Sequence, residues 1–131
     1  MRYTTLGGGK RIRPMLALLS AQLGEGTTQD VVEAAAALEL THLGSLYHDD
    51  VMDGADTRRT VQSVNSRWGN LEAILAGDYL LARASEIAAD LGTEVAGLLA
   101  TTIAALCEGQ VREMRHAFDV DRSAEAYLAS I

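Results

Sequence analysis

Proline and cysteine occur once each in this chain of 131 residues, and aromatic side chains make up only 5% of it. A β-sandwich draws on many aromatic, β-branched and turn residues, so this poverty excludes one and favours helices. Cys107, the lone cysteine, cannot close an internal disulfide, which fits a reducing compartment and an expected cytoplasmic location. Positive charge is also scarce. Eleven Lys and Arg stand against 18 Asp and Glu, a net charge of −7 that argues against nucleic acid as a partner. No apolar run has the length of a transmembrane segment, and no signal-peptide core stands at the N-terminus. The remainder is ordinary for a globular protein, with 48% hydrophobic and 22% charged residues. Residues 1–131 are read as one acidic, all-α domain with no internal repeat or linker.

The periodicity predicts four long helices and the start of a fifth. The first begins near Pro14, a residue suited to the first helical position, and stops at Gly24. Thr27 or Thr28 caps the second, which runs to about Asp53. A polar connection follows from Gly54 to Asn70, where Asn70 reads as the cap of a third helix over 71–91. Thr93 caps a fourth that reaches about Phe118. Asp121 or Ser123 opens the fifth, which has about two turns before Ile131, marginal length for a helix alone.

The chemistry concentrates at the end of the second helix, in His42-Leu43-Gly44-Ser45-Leu46-Tyr47-His48-Asp49-Asp50-Val51-Met52-Asp53. At about 100° per residue, Asp53 lies about 40° from Asp49 and one turn on, and His42 falls about 20° from Asp49 in projection. Leu40, Leu43, Tyr47 and Val51 gather on a separate arc. Like charges at this spacing cost roughly 0.2–0.5 kcal/mol, and the negative end of the helix dipole adds to the cost. A cation offsets such an arrangement, and hard carboxylate oxygens suit Mg²⁺, which takes one or two carboxylates plus waters and phosphates.

Two basic groups flank the stripe. Gly7-Gly8-Gly9-Lys10-Arg11-Ile12-Arg13-Pro14 sets three cations just before a helix N-terminus, where free N–H groups favour an anion. Arg58-Arg59 follows the stripe closely enough to fold back over it, and arginine forks match phosphate oxygens. Taken singly, each cluster reads more readily as a solvated patch. Together they read as a metal-assisted diphosphate site holding two anions.

These residues resemble the trans-isoprenyl diphosphate synthases (polyprenyl synthetases). Gly8-Gly9-Lys10-Arg11-Ile12-Arg13-Pro14 is similar to their GGKRxRP motif, and Leu46 to Asp53 with Arg58-Arg59 resembles their first aspartate-rich motif and its arginine pair. Arg67-Trp68-Gly69-Asn70, Ala76-Gly77-Asp78-Tyr79-Leu80-Leu81 and Gly109-Gln110 match later family stretches in order and spacing. The resemblance implies the all-helical terpenoid-synthase bundle, here its N-terminal half, and an enzyme that joins an allylic diphosphate to isopentenyl diphosphate. It further implies Mg²⁺ held by Asp49 and Asp53 on the allylic diphosphate, Asp50 supporting the site, and Arg58 on the allylic diphosphate. Lys10, Arg13, His42 and Arg59 would hold isopentenyl diphosphate, Gln110 would lie near the cavity, and the chain would form a homodimer.

Three departures qualify the match. Thr60 stands where the family usually has glycine, Glu113 stands where aspartate often follows the Gly-Gln pair, and no second aspartate-rich motif follows Asp78. The chain alone is therefore expected to be an incomplete catalyst. The alternative is a truncated, non-catalytic helical subunit or interaction module from the same family. Asp78 is expected as a buried polar support, with a neighbour of the site as the alternative, and Cys107 as a small core residue.

Product length has its own residues. Ser45, Thr41 and Leu38 lie one, two and three turns below Asp49, on nearly one face. Family members that stop early carry bulky aromatic residues four or five positions before the first aspartate. Here those positions are Ser45 and Gly44, and the first sizeable side chain is Leu38, about 16 Å down. The expected product is geranylgeranyl diphosphate or a longer polyprenyl diphosphate.

Overall fold

A computed structural model describes residues 8–131. The packing divides the chain into two units, one up to Leu91 and one from Gly92 to Ile131. In the first unit, α1 (Ile12–Ala21) leads to α2 (Gln29–Met52), then a hairpin of β1 (Thr57–Arg58) and β2 (Val61–Gln62), then α3 (Val64–Trp68) and α4 (Asn70–Asp90). The second unit holds α5 (Thr93–Arg115) and α6 (Ala124–Leu128). Helix dominates, as the composition requires.

Helix α2 is the axis of the first unit. Thr28 caps it by accepting a hydrogen bond from the Val31 N–H at 3.3 Å, with Asp30 in the first turn. Leu43 and Tyr47 enter the core with Val64, Ala73 and Leu80, and Leu40 and Val51 pack partly buried against it, the arc expected from periodicity. Helix α4 runs antiparallel to α2 and buries Ala73, Gly77, Leu80, Ala84 and Ala88, a mostly small-residue stripe at helical spacing. That stripe permits a close crossing. A Cβ built on Gly44 would stand 3.0 Å from the Gly77 carbonyl oxygen and 3.1 Å from Leu81 Cγ, and one on Gly77 would strike His48 Nε2.

Several boundaries move. Helix α1 starts at Ile12, so Pro14 occupies the third helical position, where the N–H it lacks has no partner within the helix. The left-handed glycine after α1 is Gly26 (φ +87°) rather than Gly24, because the chain continues one further turn past the helix. Gly69, not Asn70, is the N-cap of α4, and Gly92 that of α5.

The connection from Gly54 to Asn70 carries more structure than its polarity announced. Thr57 pairs with Gln62 and Arg58 with Val61, leaving Arg59 and Thr60 as the turn. Arg59 takes the left-handed conformation (φ +59°) and Thr60 does not, so a threonine in place of glycine is accommodated there. Ser63, fully buried, caps α3 and donates its hydroxyl to the Ala55 carbonyl at 2.6 Å.

In the second unit, Ser123 caps α6 and Arg122 anchors it to α5 through Glu113, 2.8 Å from Arg122 Nη1. The Glu113 carboxyl is held below the usual range by its hydrogen bond from Arg122. Glycine at 109 has a packing reason, since a Cβ there would lie 2.7 Å from the Ser130 carbonyl oxygen. Cys107 is exposed, correcting its expected place in the core: Leu99 is the one buried residue of α5, and two turns further on the helix leaves Cys107 uncovered.

Candidate functional site

The acidic stripe forms at the C-terminal end of α2, and its three carboxylates have three environments. Asp50 is 1% exposed. Its Oδ1 accepts from Arg58 Nε at 2.8 Å and lies 2.6 Å from Arg58 Nη2. Its backbone carbonyl accepts from Asn65 Nδ2 at 3.1 Å and from the Ala55 N–H at 2.9 Å. The buried charge is thus paired, and the hairpin that carries Arg58 is tied back onto α2. Asp53 is exposed at the helix end, and Asp49 is half-buried one turn before it. Burial pushes the Asp49 carboxyl above the usual aspartate range; Arg58 opposes this, and Asp53 and Asp50 reinforce it.

Asp49 and Asp53 therefore offer oxygen donors that no described residue neutralises to the extent that Arg58 neutralises Asp50. Among the described residues no three His, Cys, Asp or Glu side chains converge as a complete cage. The donor set fits a hard divalent ion that completes its shell with water and substrate oxygens. His48 points instead at α4, with Nε2 3.2 Å from the Ile74 carbonyl and 3.3 Å from Asp78 Oδ1. Asp78 is largely exposed, so its expected role as a buried support is corrected: the buried stripe of α4 passes through Gly77 and leaves position 78 outside.

The basic residues converge elsewhere on α2. Lys10 and Arg13 from the glycine-rich loop and the start of α1, His42 from α2, and Arg59 from the hairpin turn line one open cleft of about 600 Å³. Gly8 and Gly9 adopt φ of +93° and +129°, and the Gly8 carbonyl accepts from Arg59 Nη1. A Cβ at Gly9 would overlap the Arg59 guanidinium, so glycine there lets loop and arginine meet. Burial lowers the His42 pKa, and Arg13 lowers it further, with Glu39 pulling the other way. The imidazole is therefore neutral at neutral pH while the cleft is empty of anion.

The remaining candidates divide. Gln110 lies on α5 in the second unit, in a groove of about 540 Å³ with Gly109, Glu113 and Ser130. Along the proposed tail track, Ser45 is half-buried with its hydroxyl on the His42 carbonyl, and Leu38 is exposed. Gly44 and Thr41 are not open to a track. Gly44 is the crossing residue against α4, and Thr41 is 5% exposed with its hydroxyl on the Ala37 carbonyl. One charged residue of the cleft has no signal in the sequence: Glu39, which forms an ion pair with Arg11, one of the three cations of the glycine-rich motif. A glutamate inside an amphipathic helix carries no signal of a partner 28 positions away.

A helical fold whose longest helix ends in open carboxylates, beside a glycine-rich cationic cleft, has the architecture of the isoprenoid synthases. The chain belongs to the polyprenyl synthetase family, whose model matches residues 1–131. It is 51% identical over 122 residues to nonaprenyl diphosphate synthase of Mycobacterium tuberculosis, covering 92% of this chain and 36% of that protein. A crystal structure of a decaprenyl diphosphate synthase from Rhodobacter capsulatus superposes with a TM-score of 0.90 at 38% identity, over 95% of this chain and 38% of the other. Geranylgeranyl pyrophosphate synthase from Corynebacterium glutamicum, solved with calcium and isoprenyl diphosphate, gives a TM-score of 0.82 at 46% identity, over 99% and 39%. The chain thus spans less than two fifths of the length of these relatives. Among the described residues no helix is long and apolar enough to cross a membrane.

Proposed function

We propose that this chain carries the diphosphate-binding portion of a trans-prenyl diphosphate synthase that condenses an allylic diphosphate with isopentenyl diphosphate. One observation carries the reading: a single helix presents open carboxylates at Asp49 and Asp53 and also lines the cleft of Lys10, Arg13, His42 and Arg59. Two diphosphates of like charge need two separate cationic environments, and α2 serves both. Asp49 and Asp53 would hold Mg²⁺ against the allylic diphosphate. When bound, the ion would neutralise the leaving diphosphate as the C–O bond ionises.

The chain's own residues do the rest. Arg58, held by Asp50, offers its remaining guanidinium N–H groups to the same leaving group without reorganising. Lys10, Arg13 and Arg59 grip the isopentenyl diphosphate, and His42 gains a proton as the anion offsets Arg13. The double bond then attacks the allylic cation, and a proton is lost. Fixing both substrates removes much of the orientational entropy from that step.

The half-buried Ser45 leaves the first turn below Asp49 without a floor, so the product is geranylgeranyl diphosphate or longer, with Leu38 the next large side chain on that line. Gly44 and Thr41 act through helix packing. The enzyme is read as a cytoplasmic, Mg²⁺-dependent homodimer whose single partial domain here spans 1–131. The non-catalytic subunit reading has the intact carboxylates and arginines against it.

Product analysis of the full-length protein with labelled isopentenyl diphosphate and an allylic primer tests the reading. Chains of at least four isoprene units are expected, and Ser45→Phe shortens them. Farnesyl diphosphate as sole product overturns the length assignment, and no Mg²⁺-dependent condensation at all overturns the function.

A further inference from the structure

Glu39 is the anomaly of the cationic cleft. It is one of the cleft's lining residues, one turn before His42 on α2, and its side chain is only 16% exposed. A carboxylate in a pocket for an anion weakens binding unless its charge is already committed. Here it is committed to Arg11, the residue that opens α1.

Arg11 is itself unusual. It sits at φ +51°, ψ +37°, left-handed without being glycine, and its side chain makes no capping bond to the helix that follows. Three non-glycine residues among those described have positive φ, and two of them, Arg11 and Arg59, line this cleft. Such conformations persist where surrounding contacts over-determine them. Each has a tether: Arg59 to the Gly8 carbonyl, and Arg11 to Glu39. The loop Gly8–Arg13 is therefore pinned from two sides, by the hairpin turn and by α2. Residues on either side of Arg11, namely Lys10 and Arg13, face the cleft only while the backbone at Arg11 keeps this turn.

We propose that Glu39 is a positioning residue for the diphosphate cleft: by anchoring Arg11 it fixes the left-handed turn that aims Lys10 and Arg13, and it removes the one arginine not aimed at substrate. This rests on the reading of the cleft as the isopentenyl diphosphate site. The Arg11–Glu39 pair lets the pocket keep three cationic side chains, Lys10, Arg13 and Arg59, for the anion while the charges of Arg11 and Glu39 cancel.

The test turns on sign. If Glu39 were only a negative charge near the anion, Glu39→Gln would tighten binding. If it positions the loop, Glu39→Gln weakens binding by about tenfold, the worth of one charge-assisted hydrogen bond. The measurement is the affinity of the full-length protein for inorganic pyrophosphate without divalent ions, followed by calorimetry. It is paired with the KM for isopentenyl diphosphate and with kcat. KM should rise while kcat holds, Arg11→Gln should match Glu39→Gln, and the swapped pair Arg11→Glu with Glu39→Arg should regain most of the affinity. Equal or tighter binding by Glu39→Gln, or a fall confined to kcat, overturns the proposal while leaving the cleft's assignment intact. Failure of the unaltered protein to bind pyrophosphate overturns both.

Discussion

Helix α2 presents two charged regions built on opposite plans. At its C-terminal end the open groups are negative, Asp49 and Asp53, above a buried Asp50 whose charge is satisfied by Arg58. In its middle the open groups are positive, Lys10, Arg13 and Arg59, above a shielded Glu39 satisfied by Arg11. Both regions place a complete ion pair beneath unpaired charges of one sign. The pair orients the working groups, and the unpaired charges remain for a ligand. The regions differ in what sets their geometry. Secondary structure alone puts Asp49 and Asp53 on one face, whereas the cleft depends on left-handed turns at Arg11 and Arg59 and on contacts between distant segments.

The comparison breaks first at Asp50. If Asp50 anchors Arg58, Asp50→Ala leaves an unpaired guanidinium beside a buried cavity and costs about 2 kcal/mol in urea unfolding, less than a fully buried pair because Arg58 is a third exposed. Asp53→Ala instead relieves like-charge repulsion and leaves stability unchanged or raised by roughly 0.2–0.5 kcal/mol. If both substitutions stabilised the protein, Asp50 would be merely a third member of the stripe.

A smaller effect sharpens the cleft. The folded state holds the His42 pKa below its ordinary value, through burial and Arg13. On acidification the unfolded chain takes up this proton first, so His42 subtracts stability as pH falls through the ordinary histidine range, until the folded form protonates as well. A bound diphosphate favours the imidazolium and raises the folded pKa. Nuclear magnetic resonance titration of the His42 ring with and without pyrophosphate should show that upward shift. An identical titration in both states would remove His42 from the cleft's anion contacts.

The sequence made the acidic region legible because helical periodicity is local: Asp49, Asp53, the apolar arc of Leu43 and Tyr47, and the Thr28 cap all stand where spacing predicts. The family resemblance through Gly8–Pro14 and Leu46–Asp53 carried the architecture as well. The hairpin escaped because two-residue strands show no alternation to read, and its ends are fixed by Arg58 and Ser63 contacts to distant residues. Glu39 escaped for the same reason. Single-helix projection makes Gly44 a gap in a wall, yet its smallness serves the approach of α4, a partner that such a projection does not include. Asp78 and Cys107 are exposed against expectation because burial belongs to helix faces in contact, and periodicity does not tell which apolar face finds a neighbour.

Titration of pyrophosphate into the full-length protein, with and without Mg²⁺, tests the two-region account most directly. The account predicts a metal-independent event lost in Lys10→Ala, and a second, Mg²⁺-dependent event lost in Asp49→Ala with the first intact. A single event abolished by either substitution would contradict it, since one shared site would then do the work assigned to two.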